Sequence, residues 1–214
     1  MKYKCIVFDC DGILVDSETL TMEVFSDLFL EYGWKVSAEE ALRLFKGKAF
    51  FEIIDYINTV PKIVLPEDFE QIFRQRTFEA FTKNLKAIPG IKIVLDKLVE
   101  HKIPFCVASN GPMTKMLHNL KATQLLPYFE GKMYSAFEIK KWKPAPDLFL
   151  HAVKEMGFNN KDCVVIEDSR SGITAAQNGK LDVIGYHKDA DHFNDLSIPS
   201  ITNMAQLITL FELT

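Results

Sequence analysis

The sequence predicts a three-layer α/β core on a parallel sheet, interrupted after its first strand by an all-helical insertion. Three observations lead there. Short apolar runs rich in β-branched residues alternate with amphipathic helical patterns, as they do when helices cover both faces of a parallel sheet. The runs are almost uninterrupted in apolar character, which a strand buried on both sides requires. Residues 16–84 break the alternation, carrying one helical period after another and no strand pattern.

Strands are expected at residues 4–9, 104–109, 162–167 and 181–186, with a weaker one at 132–135. Helices are expected at 112–122, 147–156, 171–178 and 204–211, and in the insertion at 18–32, 38–45, 50–58 and 67–83. Phe25, Leu28, Phe29 and Tyr32 recur at helical spacing, a pattern suited to helix–helix packing. Gly33, Gly157 and Gly179 stand just past helical patterns, where a left-handed residue commonly ends a helix. The organisation is a Rossmann-like core of residues 1–15 and 85–214 with an inserted all-helical cap, residues 16–84. Hinges are expected near residues 15–16 and 86–89.

A chain of 214 residues, 48% hydrophobic and 25% charged, has ample material for such a core. Its net charge of −4 makes it a poor candidate for binding nucleic acid through phosphate contacts, so an anionic substrate needs a local basic pocket. Only Cys5, Ile6, Val7 and Phe8 separate the first lysines from Asp9, too short an apolar stretch for a secretory signal. No apolar run approaches the roughly 18–20 residues of a spanning helix. A cytoplasmic protein without membrane or nucleic-acid partners is expected, as a monomer or weak homodimer. Cys5, Cys106 and Cys163 lie in strand-like runs and read as reduced core residues, while Cys10 alone lies near candidate chemistry.

In open α/β sheets, ligands bind at the carboxyl ends of the strands. There the first strand presents Asp9 and Asp11, the second Ser109 and Asn110, and the third Glu167 and Asp168. Lys143 lies between the last two, in Trp142-Lys143-Pro144-Ala145-Pro146. Taken singly, each residue has a plainer explanation. A carboxylate pair after a strand fits a solvated turn, Lys143 a surface lysine, and Glu167, Asp168 or Ser169 a helix cap. As a set they point elsewhere, because bunched carboxylates repel unless a cation or proton neutralises them. Hard oxygen ligands of this kind suit Mg²⁺, which keeps waters and accepts phosphate oxygens. His101, His118, His151, His187 and His192 form no cluster in sequence and read as structural or exposed.

Four segments in order carry a family resemblance: Asp9-Cys10-Asp11-Gly12-Ile13-Leu14-Val15-Asp16-Ser17, Ala108-Ser109-Asn110-Gly111, Lys143-Pro144-Ala145-Pro146, and Ile166-Glu167-Asp168-Ser169 running on to Gly172. With the inserted helices, the chain resembles the haloacid dehalogenase superfamily over nearly its whole length, in the phosphatase branch related to β-phosphoglucomutase. The resemblance implies Asp9 as nucleophile, Asp11 as general acid and base, and Lys143 as the cation neutralising the phosphoryl group. It implies phosphate contacts from Ser109 and the Asn110 backbone. It also implies a Mg²⁺ site at Asp9, the Asp11 carbonyl, Asp168 and Glu167.

Within that superfamily the residues favour a phosphatase acting on a small phosphorylated metabolite. Halide release needs no proton, so Asp11 argues against a dehalogenase. Phosphonatase chemistry needs a Schiff-base lysine in the cap, for which Lys46 or Lys48 would have to serve. Related mutases carry a histidine where this chain has Thr21. A phosphosugar mutase or a non-catalytic phosphate-binding relative is the alternative, and the presence of Asp9, Asp11, Lys143 and Asp168 argues against the second. The runs Arg43-Leu44-Phe45-Lys46-Gly47 and Trp142-Lys143-Pro144, with Ser109 to Pro112, Lys115, Met116 and His118, resemble bacterial phosphatases of the 6-phosphogluconate phosphatase type. Arg43, Lys46 and Lys48 are then candidates for a substrate carboxylate or phosphate, against a solvated helix face as the plainer reading.

Overall fold

The computed structural model describes residues 2–45 and 50–213, the side chain of Phe51 excepted. In chain order its elements are β1 (Cys5–Phe8), α1 (Ser17–Glu31), α2 (Ala38–Phe45), α3 (Phe50–Ile57), α4 (Phe69–Asn84), α5 (Ile91–Glu100), β2 (Phe105–Ser109), α6 (Met113–Ala122), α7 (Leu126–Phe129), β3 (Met133–Ser135), α8 (Ala136–Ile139), α9 (Asp147–Glu155), β4 (Cys163–Glu167), α10 (Arg170–Asn178), β5 (Asp182–Tyr186), β6 (Ser200–Ile201) and α11 (Gln206–Leu210). Two compact units result, Met1–Val15 with Lys86–Thr214, and Asp16–Leu85. Lys46 and Lys48 lie outside the described residues.

In the first unit the strands run parallel in the order β3-β2-β1-β4-β5-β6. The chain leaves β1 first toward β2 and later crosses to β4, so the strand order reverses at β1, where a ligand crevice is expected at the carboxyl ends. Side chains alternate across the sheet. Cys5 and Val7 join Cys106, Ala108, Cys163 and Val165 in a core with Leu148, Phe149, Ile173 and Ala176 from α9 and α10. On the other face Phe8, Phe105 and Phe129 meet edge to face with centroids 5.4–6.4 Å apart. All four cysteines are buried thiols, as the strand-like runs lead one to expect for Cys5, Cys106 and Cys163.

The helical unit packs α1 against α2 and α4. Phe25, Leu28 and Phe29 of α1 are buried, and Phe25 stacks on Phe73 with centroids 4.0 Å apart. Ser37 caps α2 reciprocally with Glu40: its hydroxyl accepts from the Glu40 N–H at 3.2 Å, and the Glu40 carboxylate accepts from the Ser37 N–H at 2.9 Å. The Thr21 hydroxyl donates to the Ser17 carbonyl within α1, at 2.7 Å.

The structure adds the short helices α7 and α8, which the sequence expectations lack, and differs from those expectations elsewhere as well. Helix α5 is absent from the sequence expectations, although Ile91, Val94, Leu95 and Leu98 are spaced as a buried helical face and are all buried. The edge strand β6, two residues long, also escaped them. Gly33 and Gly157 have φ of 88° and 80°, but Gly179 is right-handed at −79° and the left-handed step falls on Lys180 at 54°. Gly179 serves close packing instead, since a Cβ there would come within 3.3 Å of the Pro146 Cβ. Finally, His187 and His192 are paired, their rings stacked 3.7 Å apart. No described helix is long and apolar enough to cross a membrane.

Candidate active site

The site forms where β1, β2 and β4 end. Asp9 follows β1 directly, its N–H donating to the Ile166 carbonyl at 3.0 Å in the last step of the sheet ladder. The chain then turns back tightly. The Gly12 N–H donates to the Val15 carbonyl at 2.8 Å and the Val15 N–H to the Cys10 carbonyl at 3.1 Å. Gly12 takes φ of 83°, and a Cβ there would lie 2.1 Å from Asp168 Oδ2, so only glycine lets the turn approach the β4 loop.

Lys143 is the centre of the buried charge. Its Nζ donates to Asp9 Oδ1 at 2.5 Å and to Glu167 Oε2 at 2.7 Å, and lies 4.6 Å from the Phe149 ring centroid. The other Glu167 oxygen accepts from the N–H groups of Asp168 and Ser169 and from the Ser169 hydroxyl, all at 2.9–3.0 Å. Glu167 is thus fully buried with donors on both oxygens, as a buried charge must be. Ser169 caps α10 by accepting from the Gly172 N–H, which leaves Glu167 and Asp168 to the site.

Asn110 grips the Lys143 backbone from the other side. Its Oδ1 accepts from the Lys143 N–H at 2.9 Å and its Nδ2 donates to the Lys143 carbonyl at 3.5 Å. The Ser109 hydroxyl accepts from the Gly111 N–H at 3.0 Å, and the Ser135 hydroxyl donates to the Gly111 carbonyl at 2.7 Å. The loop after β2 is therefore tied both to the end of β3 and to the segment that carries Lys143.

Charge in the site is unbalanced. Among the described residues, Asp9, Glu167 and Asp168 offer carboxylate oxygens within 4.8 Å of one another, facing the single ammonium of Lys143. Burial, with the Glu167 charge next, pushes the Asp9 carboxyl up to about 7, despite Lys143. Burial works against the Lys143 charge, but the Asp9 and Glu167 charges outweigh it and raise that pKa too. Burial, then the Asp11 and Asp9 charges, push the Cys10 thiol well up, so Cys10 stays neutral. Three hard oxygen donors with excess negative charge fit a divalent cation.

Of the residues singled out from sequence, Asp9, Asp11, Ser109, Asn110, Lys143, Glu167 and Asp168 all belong to the first unit and meet at these strand ends. Arg43 is exposed on α2 of the helical unit. The Asp11 carboxylate meets α6, where Lys115 Nζ donates to its Oδ2 at 2.7 Å. Desolvation opposes the Lys115 charge, and the Asp11 carboxylate more than offsets it, raising the ammonium above its usual range. Asn119 is a further neighbour of Asp11 that no motif in the sequence marks.

Gly172 provides a direct check of this arrangement. A Cβ on Gly172 would lie 1.8 Å from Glu167 Oε2. Gly172→Ala is expected to displace Glu167, destabilise the core unit by about 1–3 kcal/mol, and depress activity. Urea unfolding read beside hydrolysis rates checks it, and a variant with wild-type values in both would contradict the close approach.

Residues 6–186 match the haloacid dehalogenase-like hydrolase family. The chain belongs to that family. It is 33% identical over 213 residues to the 6-phosphogluconate phosphatase of Escherichia coli, covering 99% of this chain and 95% of the relative. It is 27% identical to the phosphorylated carbohydrates phosphatase of Thermotoga maritima, over 85% of this chain and 83% of that one. Among solved structures, a HAD family hydrolase from Deinococcus radiodurans R1, determined with bound phosphate and sodium, superposes with a TM-score of 0.88. That protein is 27% identical, and the match covers 99% of this chain and 96% of the other. This haloacid dehalogenase-like protein is a phosphatase, a hydrolase of phosphoric monoesters.

Proposed function

We propose that the protein is a Mg²⁺-dependent phosphatase of a small phosphorylated sugar or sugar acid, with 6-phosphogluconate the first candidate, working through an aspartyl-phosphate on Asp9. The observation that carries this reading is the buried contact of Lys143 with Asp9 and Glu167 beside Asp168, at the sheet's reversal point. Asp9, Asp168, the Asp11 carbonyl and Glu167 would hold the Mg²⁺, which supplies charge stabilisation to the phosphoryl oxygens and keeps Asp9 ionised.

In the first half-reaction a carboxylate oxygen of Asp9 attacks phosphorus, and the bond from phosphorus to the substrate oxygen breaks. Asp11 gives its proton to that leaving oxygen. Lys143 offsets negative charge shared by Asp9 and the phosphoryl group. The Ser109 hydroxyl, which accepts from Gly111, keeps its own proton for a phosphoryl oxygen. In the second half-reaction water attacks phosphorus, Asp11 takes the water proton, and Asp9 and inorganic phosphate are released. Residues 16–85 act as the substrate-selecting cap, with Arg43, Lys46 and Lys48 as candidate contacts. Cytoplasmic location and a monomeric or weakly dimeric state complete the proposal.

A hydrolysis screen over phosphorylated sugars, sugar acids and nucleotides, with Mg²⁺ and an Asp9→Asn control, tests the substrate class. Preference for nucleotides would overturn it. For the acid–base assignment, Asp11→Asn should lower kcat/KM for alkyl phosphates by about 10²–10⁴-fold. The loss should be smallest for p-nitrophenyl phosphate, whose leaving group needs no proton. Equal losses on both substrates would remove the acid role.

A further inference from the structure

We propose that Lys115 and Asn119 form a positioning clamp for Asp11, holding its carboxylate in the orientation from which it serves the leaving oxygen. This rests on the acid–base reading of Asp11 given above. Lys115 Nζ donates to Asp11 Oδ2 at 2.7 Å, and Asn119 Nδ2 donates to Asp11 Oδ1 at 3.4 Å. Each carboxylate oxygen thus has its own donor on α6. The last torsion of an aspartate is broad and roughly two-fold when nothing holds it, so a donor at each oxygen selects one plane.

Both donors come from one rigid element. Lys115 and Asn119 are four residues apart and therefore share a face of α6. The same helix starts just past Ser109, Asn110 and Gly111. A Cβ built on Gly111 would lie 3.4 Å from the Ser109 Oγ, 3.6 Å from the Lys115 Cδ and 4.0 Å from Asp11 Oδ2. The phosphate-facing hydroxyl, the lysine stem and the acid–base carboxylate thus surround one small space.

Packing alone does not explain these side chains. Asn119 is fully buried, and its Oδ1 has no hydrogen-bond partner among the described residues. A buried amide so placed is unfavourable unless its donor side has a task. Nor is the lysine there for stability, since its side chain is 41% exposed and partly solvated ion pairs contribute little. The two carboxylates of the first motif therefore have separate lysines: Lys143, buried, for Asp9 and Lys115, half-exposed, for Asp11.

The test compares kcat/KM for an alkyl phosphate and for p-nitrophenyl phosphate, with Mg²⁺, in wild type, Lys115→Met, Lys115→Arg and Asp11→Asn. kcat/KM reports steps up to release of the leaving group, which isolates proton donation from later hydrolysis of the Asp9 adduct. Lys115→Met should lower the alkyl value by about 10- to 100-fold, the size of a misplaced catalytic group. The p-nitrophenyl value should fall much less, and Lys115→Arg should restore most of the alkyl rate. Thermal melts of the variants should stay near wild type. If Asp11→Asn is selective for the alkyl substrate while Lys115→Met lowers both substrates equally, or neither, the clamp is overturned and the role of Asp11 stands. A Lys115→Met effect confined to KM overturns it as well, in favour of direct substrate binding. If Asp11→Asn itself shows no selectivity, the acid–base reading falls and the clamp with it.

Discussion

Asp9→Asn is expected to abolish Mg²⁺-dependent turnover of every phosphate ester the protein accepts, while raising the melting temperature of the metal-free protein. The loss follows because an amide is no nucleophile toward phosphorus. The gain in stability follows from charge. Burial beside Glu167 pushes the Asp9 carboxyl up to about 7. A carboxyl whose pKa is raised on folding binds its proton more tightly in the native state. The fold therefore loses stability as pH rises from about 4 to about 7. A shift of that size corresponds to at most about 4 kcal/mol, and asparagine removes it together with the crowding. Melts in EDTA at pH 5 and pH 8 check the sign: wild type should lose stability between them, and the loss should shrink in Asp9→Asn. A variant that melts lower than wild type at pH 8 would contradict this account, and residual steady-state turnover would contradict the nucleophile.

Lys143→Met is expected to have the second-largest effect, and to affect the fold as well. It leaves Asp9 and Glu167 buried together without their shared ammonium. Removing one partner of a buried ion pair destabilises by about 3–5 kcal/mol, and losing a preorganised charge at the phosphoryl group slows turnover by at least about 10²–10³-fold. The two effects separate in Lys143→Met combined with Glu167→Gln. The second change removes one of the stranded charges, so urea unfolding should show stability partly recovered while activity stays lost. Wild-type stability in the single variant would show that the charges are better solvated than the contact geometry implies.

The parts of the site that sequence made legible are those governed by a general rule. Asp9, Ser109 and Glu167 close apolar runs, and the ends of parallel strands are where ligands bind. Lys143 sits in an irregular segment, and only the family resemblance linked it to Asp9. The Asp11–Asn119 contact joins residues 108 positions apart, across a turn and a helix face, and neither end has a local pattern that announces the other. Asn110 was expected to offer its backbone to phosphate, and its side chain proves to hold the Lys143 main chain, a contact set by how two loops fold over each other. Helix α5 is a different case. Its Ile91, Val94, Leu95 and Leu98 face is readable in sequence, but the segment lies between the insertion and the next strand, outside the strand–helix alternation of the core. Gly179 shows that a glycine after a helix need not be left-handed when a close neighbour already accounts for it.

The lacing of the loops under the site also bears on how this protein can change its substrate. Asn110 is bound to the main chain of Lys143, Ser135 to Gly111, Glu167 to the amides of two following residues, and Gly12 and Gly172 leave no room beside Asp168 and Glu167. Substitution at any of these positions disturbs several contacts at once, whichever metabolite is used. Under the proposed cap role, substrate preference is instead adjusted in the separately packed helices of residues 16–85, where Arg43 is exposed and lies outside the strand-end site. A library aimed at new substrates is best confined to that segment.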